Sequence, residues 1–432
     1  MENDKFKTMT DSNTLLNAFH EAQKDSIWKA SVQRFEANLI ANINKLQEQI
    51  RSDKYEQLPF NVFKLNERGH IRVIKSMHIA DRVVQRSVCD NILTPALKKY
   101  LIYDNGASQE GKGIDFCRSR LSVHLQKYIR KFGTDGYILL CDFRKFFDNI
   151  RHDVLVKQFA EKIKDKQAMD FITKLIDTFK IDISYLPADQ RENEINNVFN
   201  SLEYDQIDDN LKTGQFFMKK SVGIGSQISQ IAGIFYPTKL DNYIKIVKGI
   251  KFYGRYMDDF YIIHNDKEFL KNILTDIKRV SAELGLTLSS NKTQIKKLKT
   301  GFTFLKIKYS VTDSGHIVKR ICSSNVTRQR RKLKKLKAKV TAGKIPFIDV
   351  LNMHKSWMGG LKKFDSHRTL LNMQDLFNSL FKKELENYER KRKTRTGNPK
   401  FNVPAEFQLI TDWRLENRKI SGIPGSRSDC SL

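Results

Sequence analysis

Three aspartates stand where apolar segments of this sequence end or turn. Asp142 follows the continuous apolar run YILLC, which is typical of a buried strand. Asp258 and Asp259 interrupt the segment FYGRYMDDFYIIH, whose pattern predicts two strands joined by a tight turn at Met257 and Asp258. A long stretch of chain separates Asp142 from this pair, so only tertiary structure could bring the three carboxylates together.

Carboxylates grouped in this way have a specific chemical use. Transfer of a nucleotidyl group from a nucleoside triphosphate uses two divalent ions about 4 Å apart, one at the attacking hydroxyl and one at the leaving pyrophosphate. Mg²⁺ takes few protein carboxylates and completes its coordination with water and phosphate oxygens. Two or three aspartates at strand ends therefore predict a metal-dependent centre of this kind. The alternative is ordinary turn chemistry, because Asp is common in tight turns.

The charge of the chain favours a polyanionic partner. Lys and Arg number 77 against 49 Asp and Glu, which gives a net charge of +28 and a pI near 9.7. Nucleic acid and an anionic membrane surface both fit such an excess. The sequence has no apolar run of about 18 residues, and the segment MENDKFKTMTDSNTLL has no apolar signal core. We therefore expect a cytoplasmic protein that binds nucleic acid and not a membrane.

Periodicity divides the chain into helical and strand segments. Helices are predicted over 13–52, 79–100, 267–284 and from 326 onward, and strands over 68–76, 137–143, the two halves of 252–264, 301–310 and 316–321. Residues 184–215 are acidic and rich in Asn, unlike the rest of the chain, and predict an inserted loop or small subdomain. The mixture of helices and antiparallel strands predicts an α+β fold.

The helical segment beyond residue 326 is exceptionally basic. Its apolar positions recur at spacings of three and four, as in a helix with one buried stripe: Leu333, Leu336 and Val340. The cations between them include Arg328, Arg330, Arg331, Lys334 and Lys335. Such a helix can lie along a duplex and neutralise phosphates without distinguishing the sequence. The alternative is a solvated face, although cations at this density repel one another.

The motifs, taken in order, resemble those of reverse transcriptases. Tyr256-Met257-Asp258-Asp259 resembles the Tyr-x-Asp-Asp box, and residues 142–148 resemble the first palm motif. Residues 224–230 resemble the middle motif, in the form with Ser-Gln where many relatives have Ser-Pro. Residues 285–293, Phe304-Leu305 and 72–85 resemble the fourth palm motif, the primer grip and the fingers motifs of bacterial group II intron-like enzymes.

The resemblance implies a right-hand polymerase with fingers, palm and thumb. Its implied parts are an N-terminal helical extension at 1–56, fingers at 57–135, a palm at 136–310 that carries the acidic insertion, a basic helical thumb at 311–388 and a polar C-terminal tail at 389–432. The palm is expected to contain an antiparallel sheet. The basic segment described above falls in the thumb.

The resemblance also implies which residues hold the metal. Asp142, Asp258 and the backbone carbonyl of Phe143 would bind two Mg²⁺ ions, for which Mn²⁺ could substitute. Asp259 would lie alongside them. These residues are the expected catalytic group.

Further positions match nucleotide-binding sites of the family. Phe147 matches an aromatic gate whose ring leaves no room for a 2′ hydroxyl, although core packing would also explain it. Arg72 matches a triphosphate contact and Lys292 a proton donor to pyrophosphate; a solvated strand charge and a surface lysine are the respective alternatives. Gly225 and Gln230 belong to the middle motif, which contacts the incoming nucleotide.

The implied activity is synthesis of cDNA from dNTPs on a template RNA. Ile224 stands where many relatives have Gln, and diversity-generating and defence-associated bacterial enzymes look similar at this position. We expect a dedicated noncoding RNA as template and antiphage defence as the role. The alternatives are diversity generation, a non-catalytic RNA-binding protein that assists splicing, and an RNA-dependent RNA polymerase.

Overall fold

The computed structural model of the chain describes residues 4–67 and 69–396. The helices are α1 (Lys5–Met9), α2 (Ser12–Gln23), α3 (Ala30–Ala37), α4 (Leu39–Arg51), α5 (Ile79–Val88), α6 (Thr94–Leu97), α7 (Ile114–Phe132), α8 (His152–Ala160), α9 (Lys166–Asp177), α10 (Ala188–Asn196), α11 (Ser201–Tyr204), α12 (Gln227–Phe235), α13 (Thr238–Asn242), α14 (Lys267–Glu283), α15 (Ser323–Thr341), α16 (Phe347–Leu361), α17 (His367–Leu380) and α18 (Lys382–Thr396). The strands are β1 (Asn61–Glu67), β2 (His70–Ser76), β3 (Tyr137–Cys141), β4 (Ile181–Asp182), β5 (Phe217–Met218), β6 (Tyr253–Tyr256), β7 (Asp259–His264), β8 (Gln294–Lys297), β9 (Phe302–Phe304), β10 (Ile307–Val311) and β11 (Ile317–Ile321).

A four-stranded antiparallel sheet lies at the centre of the first part of the chain. Its strand order is β6-β7-β3-β8, so β3 is flanked on both sides. The apolar run of β3 is buried from Ile138 to Cys141. Helix α7 packs against β6 and β7, and α14 packs against β7. The mixture of helices and antiparallel strands confirms the predicted α+β class.

The hairpin of β1 and β2 was only half predicted. Strand β2 matches the predicted segment 68–76, but β1 was missed because almost all of its residues are exposed and give no apolar alternation. The predicted helical stretch over 13–52 is also divided, into α2, α3 and α4. Likewise, the predicted strand 301–310 is broken into β9 and β10 by a turn at Leu305 and Lys306, which have φ of 45° and 67°.

The acidic insertion, residues 184–215, packs on a small apolar cluster that it forms with the residues on either side of it. The short strands β4 and β5 flank it and pair with one another, and α10 and α11 lie between them. The cluster consists of buried Ile181, Ile183, Phe199 and Met218. The region thus contains short helices and lies within the first compact unit of the chain, and its interpretation as an insertion stays a prediction.

The chain divides into two compact units between Arg320 and Ile321. In the second unit, α15, α16 and α17 enclose an apolar cluster that includes Leu333, Val350 and Phe377. Because β11 pairs with β10, residues 311–320, predicted as thumb, lie in the first unit. Helix α18 runs on to Thr396, past the predicted start of the tail at 389, and residues 397–432 lie outside the described residues.

Within residues 4–67 and 69–396, every helix is too short or too polar to cross a membrane.

A buried ion pair fixes the hairpin formed by β6 and β7. Arg255 and Asp241 are both fully buried, and their side chains form two hydrogen bonds, of 2.8 Å and 2.6 Å. Arg255 also donates to the carbonyls of Ile234, at the end of α12, and Met257, in the hairpin turn. One guanidinium therefore joins α12, α13 and the turn that carries the aspartates.

Replacement of Asp241 by Ala should destabilise the protein by about 3–5 kcal/mol, because it leaves an uncompensated buried charge on Arg255. Urea unfolding followed by circular dichroism measures the loss. The control is Lys239→Ala, which removes an exposed ion pair with Glu283 and should change stability little. Equal effects of the two substitutions would contradict the anchoring role of Asp241.

Candidate active site

The pairing of β3 with β7 brings the three aspartates to one end of the central sheet. The last register pair is Cys141 with Phe260, so the next residues, Asp142 and Asp259, face one another across the two strands. Asp258 precedes β7 in the two-residue turn between β6 and β7. Asp142 is 5% exposed, and Asp258 and Asp259 are half-buried.

The turn itself has an uncommon backbone conformation. Met257 has φ of 54°, in the left-handed region that side-chain-bearing residues rarely adopt. Conformations of this kind cost about 1–3 kcal/mol and persist where the surrounding structure enforces them. Here the carbonyl of Met257 accepts a hydrogen bond from the buried guanidinium of Arg255.

Burial and mutual repulsion raise the pKa of two of the carboxyls. Burial raises the pKa of Asp258 to about 6, and the charge of Asp142 adds to the shift. The pKa of Asp259 is also raised, first by burial, then by the charges of Asp258 and Asp142 and by a hydrogen bond with Asp142. A cation at this end of the sheet would relieve the repulsion.

Lys292 supplies one such positive charge. Its ammonium lies 2.7 Å from the carboxylate of Asp142. Burial opposes the charge of Lys292, but the hydrogen bond and the negative charge of Asp142 outweigh it, so the pKa of Lys292 is raised. The rest of the loop before β8 is tied to the same strand end, because the amide of Ser289 donates to the carbonyl of Asp142 at 2.8 Å.

The donor set suits a hard divalent ion. Among the described residues, no group of three or more His, Cys, Asp or Glu side chains is arranged to hold a metal ion by itself. Mg²⁺ does not need one, because it is usually held by one or two carboxylates and by substrate phosphates. The oxygen donors of Asp142, Asp258 and Asp259 at one strand end match that preference. Phe143 is buried beside them, with its ring stacked on Phe146.

Phe147 and Met257 of the aspartate turn both approach Gly233 of α12. Phe147 begins a short 3-10 turn, Phe147–Asn149. A Cβ at Gly233 would lie 3.0 Å from the ring of Phe147 and 3.2 Å from the sulfur of Met257. Gly233 is therefore closely packed, and a larger residue at this position would require the side chain of Phe147 or Met257 to shift by a few tenths of an ångström.

The middle motif meets the end of the β1–β2 hairpin. Ile224 forms a parallel bridge with Ile74, and the amide of Lys75 donates to the carbonyl of Ile224 at 3.0 Å. Gly225 has φ of +126°, and a Cβ there would lie 2.8 Å from the carbonyl oxygen of Lys75. A glycine at 225 therefore allows this close contact between backbones. Ser226 caps α12 by accepting a hydrogen bond from the amide of Ser229.

Two other predicted nucleotide contacts lie at the surface. Arg72 is on β2, 3.1 Å from Glu67, and its charge lowers the pKa of Asp258, against the larger effects of burial and Asp142. Gln230 is exposed on α12, with its side-chain oxygen 3.4 Å from the hydroxyl of Ser108. The structure thus places Arg72 within electrostatic range of the carboxylates and gives Gln230 no contact with them among the described residues.

The predicted nucleic-acid-binding residues occupy the outer faces of α15. Leu333 and Gln329 form the buried stripe of this helix. The cations that are exposed on the rest of its surface include Arg328, Arg330, Arg331, Lys334 and Lys335. They belong to the second compact unit.

Sequence patterns missed two residues that position the site. Arg255 could have been suspected because it is the one Lys or Arg in the hairpin segment FYGRYMDDFYIIH. Arg118 of α7 donates two hydrogen bonds, of 3.2 Å and 2.6 Å, to the carbonyl of Leu305 in the predicted primer grip. Nothing in the spacing of Arg118 indicates this contact, because it joins residues far apart in the chain.

The region that contains the three aspartates is similar to known proteins. The family described as reverse transcriptase (RNA-dependent DNA polymerase) matches residues 62–309, more than half of the chain. The COX1/OXI3 intron 2 protein of Saccharomyces cerevisiae is 24% identical over 348 residues, which cover 71% of this chain and 39% of that protein. The COX1/OXI3 intron 1 protein of the same yeast is 24% identical over 301 residues, covering 62% and 34%. The chain thus spans little more than a third of these curated relatives.

Two solved structures show limited similarity to the backbone of this chain. Telomerase from Candida albicans, in complex with a fragment of telomeric RNA, has a TM-score of 0.46 at 15% identity, covering 88% of this chain and 62% of that one. Apo telomerase from Candida tropicalis has a TM-score of 0.39 at 14% identity, covering 65% and 60%. The strand order of the central sheet and the family match define the fold independently of these two structures.

The raised pKa values of the turn carboxyls predict a pH-dependent gain in stability when they are neutralised. The protonated form of Asp258 stabilises the fold at low pH, and this stability is lost as the pH rises through about 6. The raised pKa of Asp259 acts in the same direction. Without divalent ions, the Asp258→Asn, Asp259→Asn variant should therefore melt at a higher temperature than the wild type at about pH 8 and lose this advantage at about pH 4.

Thermal melts in a chelating buffer across this range measure the difference. Asp313→Asn is the control, because Lys299 holds the pKa of that exposed carboxyl below its usual value. It should give no gain at high pH. A gain for the double variant that is independent of pH would contradict the assigned shifts.

Proposed function

The chain belongs to the reverse transcriptase family, and from that premise we propose that it is an RNA-directed DNA polymerase of the right-hand kind. The observation that carries the proposal is the meeting of Asp142, Asp258 and Asp259 at one end of the central sheet. The alternative of ordinary turn chemistry does not account for a third carboxylate from a separate strand. It also leaves unexplained why two mutually repelling carboxyls are held together.

We assign the binding of two Mg²⁺ ions, or Mn²⁺ in their place, to Asp142, Asp258 and the carbonyl of Phe143, with Asp259 alongside. When bound, the ions would activate the primer 3′ hydroxyl and neutralise charge on the leaving pyrophosphate. The raised pKa values of Asp258 and Asp259 support this assignment, because a cation is what stabilises their charged forms. The aspartates thus place the primer end and the triphosphate side by side.

Other side chains bind and orient the nucleotide in this proposal. The guanidinium of Arg72 binds triphosphate oxygens, for which its planar fork is suited. Lys292 keeps a proton on Nζ beside Asp142, and we assign it the protonation of pyrophosphate as it leaves. Gly225 lets the middle motif approach the nucleotide, and Gln230 contacts the nucleotide or template from α12.

Phe147 selects the sugar in this scheme. Its ring approaches Gly233, which Met257 of the aspartate turn also approaches, and this places it near the proposed position of the nucleotide. A 2′ hydroxyl would collide with the ring, whereas a deoxyribose would fit. The ring of Phe147 therefore favours synthesis of DNA, and it argues against the alternative of an RNA-dependent RNA polymerase.

The basic surface of α15 is the proposed duplex-binding element. Its exposed cations neutralise phosphates of the template–product duplex in a sequence-neutral way. The implied partners are a template RNA, dNTPs and the cDNA product. We further propose that the template is a dedicated noncoding RNA and that the cDNA acts in antiphage defence.

Loss of one metal ligand should abolish synthesis. Asp258→Asn is expected to slow extension of a DNA primer on an RNA template by about a thousandfold or more, since several kcal/mol of transition-state stabilisation are removed. Single-turnover assays with dNTPs and Mg²⁺ measure the rate, with Asp313→Asn as the exposed control. Synthesis that persists in Asp258→Asn would refute the site, and extension by rNTPs alone would favour an RNA polymerase.

The biological role is tested by the nucleic acid that co-purifies from the native host. We expect a single recurring cDNA with the wild type, absent from the Asp258→Asn, Asp259→Asn variant. Faithful or repetitive copies would support defence, and base-selective errors would support diversity generation; Ile224 is compatible with both. Equal binding of RNA by both proteins, without cDNA, would instead support a non-catalytic RNA-binding protein.

A further inference from the structure

The two residues that follow Phe147 are both hydrogen-bonded to the acidic insertion. The carboxylate of Asp148 accepts from the amide of Ser201 at 3.3 Å and from its hydroxyl at 3.1 Å. The side chain of Asn149 donates to the carbonyl of Phe199 at 3.2 Å and accepts from the amide of Phe199 at 2.9 Å. The two residues next to Phe147, the proposed gate, therefore make four hydrogen bonds to one segment of the insertion, residues 199–201.

This segment is fixed by the core of the insertion. Phe199 is 2% exposed and packs in the apolar cluster with Ile181, Ile183 and Met218. The backbone of Phe199 thus binds Asn149 while its ring anchors the insertion. Because Asn149 is itself 1% exposed and is bonded to Phe199 through both its NH₂ group and its oxygen, we expect a shift of Phe199 to be transmitted to the 3-10 turn that begins at Phe147.

The strand that leaves the insertion is tied to the same turn. The amide of Val222 donates to the carbonyl of Phe147 at 3.1 Å, and that of Ser221 donates to the carbonyl of Ile150 at 2.9 Å. Lys220, 2% exposed, donates from Nζ to the carbonyls of Ile195 and Asn197 at the end of α10. The insertion and the segment that follows it therefore bind four consecutive residues from Phe147 to Ile150.

The insertion also contacts the β1–β2 hairpin. Lys64 of β1 lies 2.8 Å from Asp205, and the ammonium of Lys75 at the end of β2 is near enough to Asp148 for their charges to interact. Asp148 thus stands between Ser201 of the insertion and Lys75 of the hairpin. A role confined to bracing this hairpin is the competing explanation for the insertion.

We propose that the acidic insertion sets the sugar specificity of the nucleotide site, with Asn149 and Asp148 as the positioning residues that hold Phe147 in place. The inference rests on the proposed function, in which Phe147 excludes ribonucleoside triphosphates. A gate separates two sugars that differ by one hydroxyl, so a small displacement of the ring admits the larger one. The ring of Phe147 also lies against Gly233 of α12, where a Cβ would be only 3.0 Å from it.

The test compares sugar selection in two positioning variants. Asn149→Ala removes both bonds to Phe199 and a third, to the carbonyl of Lys145, whereas Ser201→Ala removes only the hydroxyl bond to Asp148 and keeps the amide bond. The ratio of kcat/KM for a dNTP to that for the matching rNTP is measured by single-nucleotide extension. We expect Asn149→Ala to lower this ratio by about tenfold, as a loss of roughly 1.4 kcal/mol in discrimination would do. Ser201→Ala should lower it less, in the same direction.

The controls separate positioning from stability. Asp209→Asn alters a fully exposed carboxylate of the insertion, whose partner Lys212 also lies in the insertion, and should leave the ratio unchanged. Phe147→Ala marks the fully relaxed gate. The expected signature is a lower KM for the rNTP with a nearly constant kcat for the dNTP, whereas a bracing role would impair both substrates alike.

Each outcome decides the question. If Phe147→Ala relaxes sugar selection but Asn149→Ala and Ser201→Ala leave the ratio unchanged, the inference is overturned while the proposed function stands. If Phe147→Ala also leaves the ratio unchanged, the gate assignment fails and the inference fails with it. Should Asn149→Ala not fold, Ser201→Ala alone decides, because its substitution removes one half-buried hydroxyl from an otherwise intact contact.

Discussion

Three carboxylates that repel one another are held at one end of an antiparallel sheet, and much of the structure serves to keep them there. The pairing of β3 with β7 sets Asp142 opposite Asp259, and the two-residue turn before β7 adds Asp258. The cost appears as raised pKa values for Asp258 and Asp259. Buried Arg255 holds the turn through the carbonyl of Met257, and Lys292 lowers the repulsion through its contact with Asp142. A polymerase can use such a site because metal ions offset the repulsion.

The aspartates could be found from the sequence because strand ends and tight turns have local signals. Apolar runs predicted β3 and the two strands around the Met257 turn. The register could not be predicted, because a strand buried on both faces has no alternation that would select its partner. The contact of Lys292 with Asp142 likewise depends on the pairing of β3 with β8, which no local pattern specifies.

The errors in the predicted fold have a common physical origin. Strand β1 was missed because its side chains are exposed on both faces. The breaks between α2, α3 and α4 were missed because amphipathic periodicity persists across short interruptions of a helix. The links between Asn149 and Phe199 use a side chain on one partner and the backbone on the other. Since every residue carries backbone groups, such bonds leave no trace in the pattern of residue types.

The most direct test of the site is the position of its metal ions. Crystals of the chain with an RNA template, a DNA primer ended by a dideoxynucleotide, the next dNTP and Mn²⁺ would give anomalous diffraction from the metal. We expect two anomalous peaks in contact with the carboxylates of Asp142 and Asp258, with the triphosphate bound between Arg72 and the aspartate turn. Peaks bound elsewhere, with a nucleotide that does not approach these aspartates, would contradict the central claim.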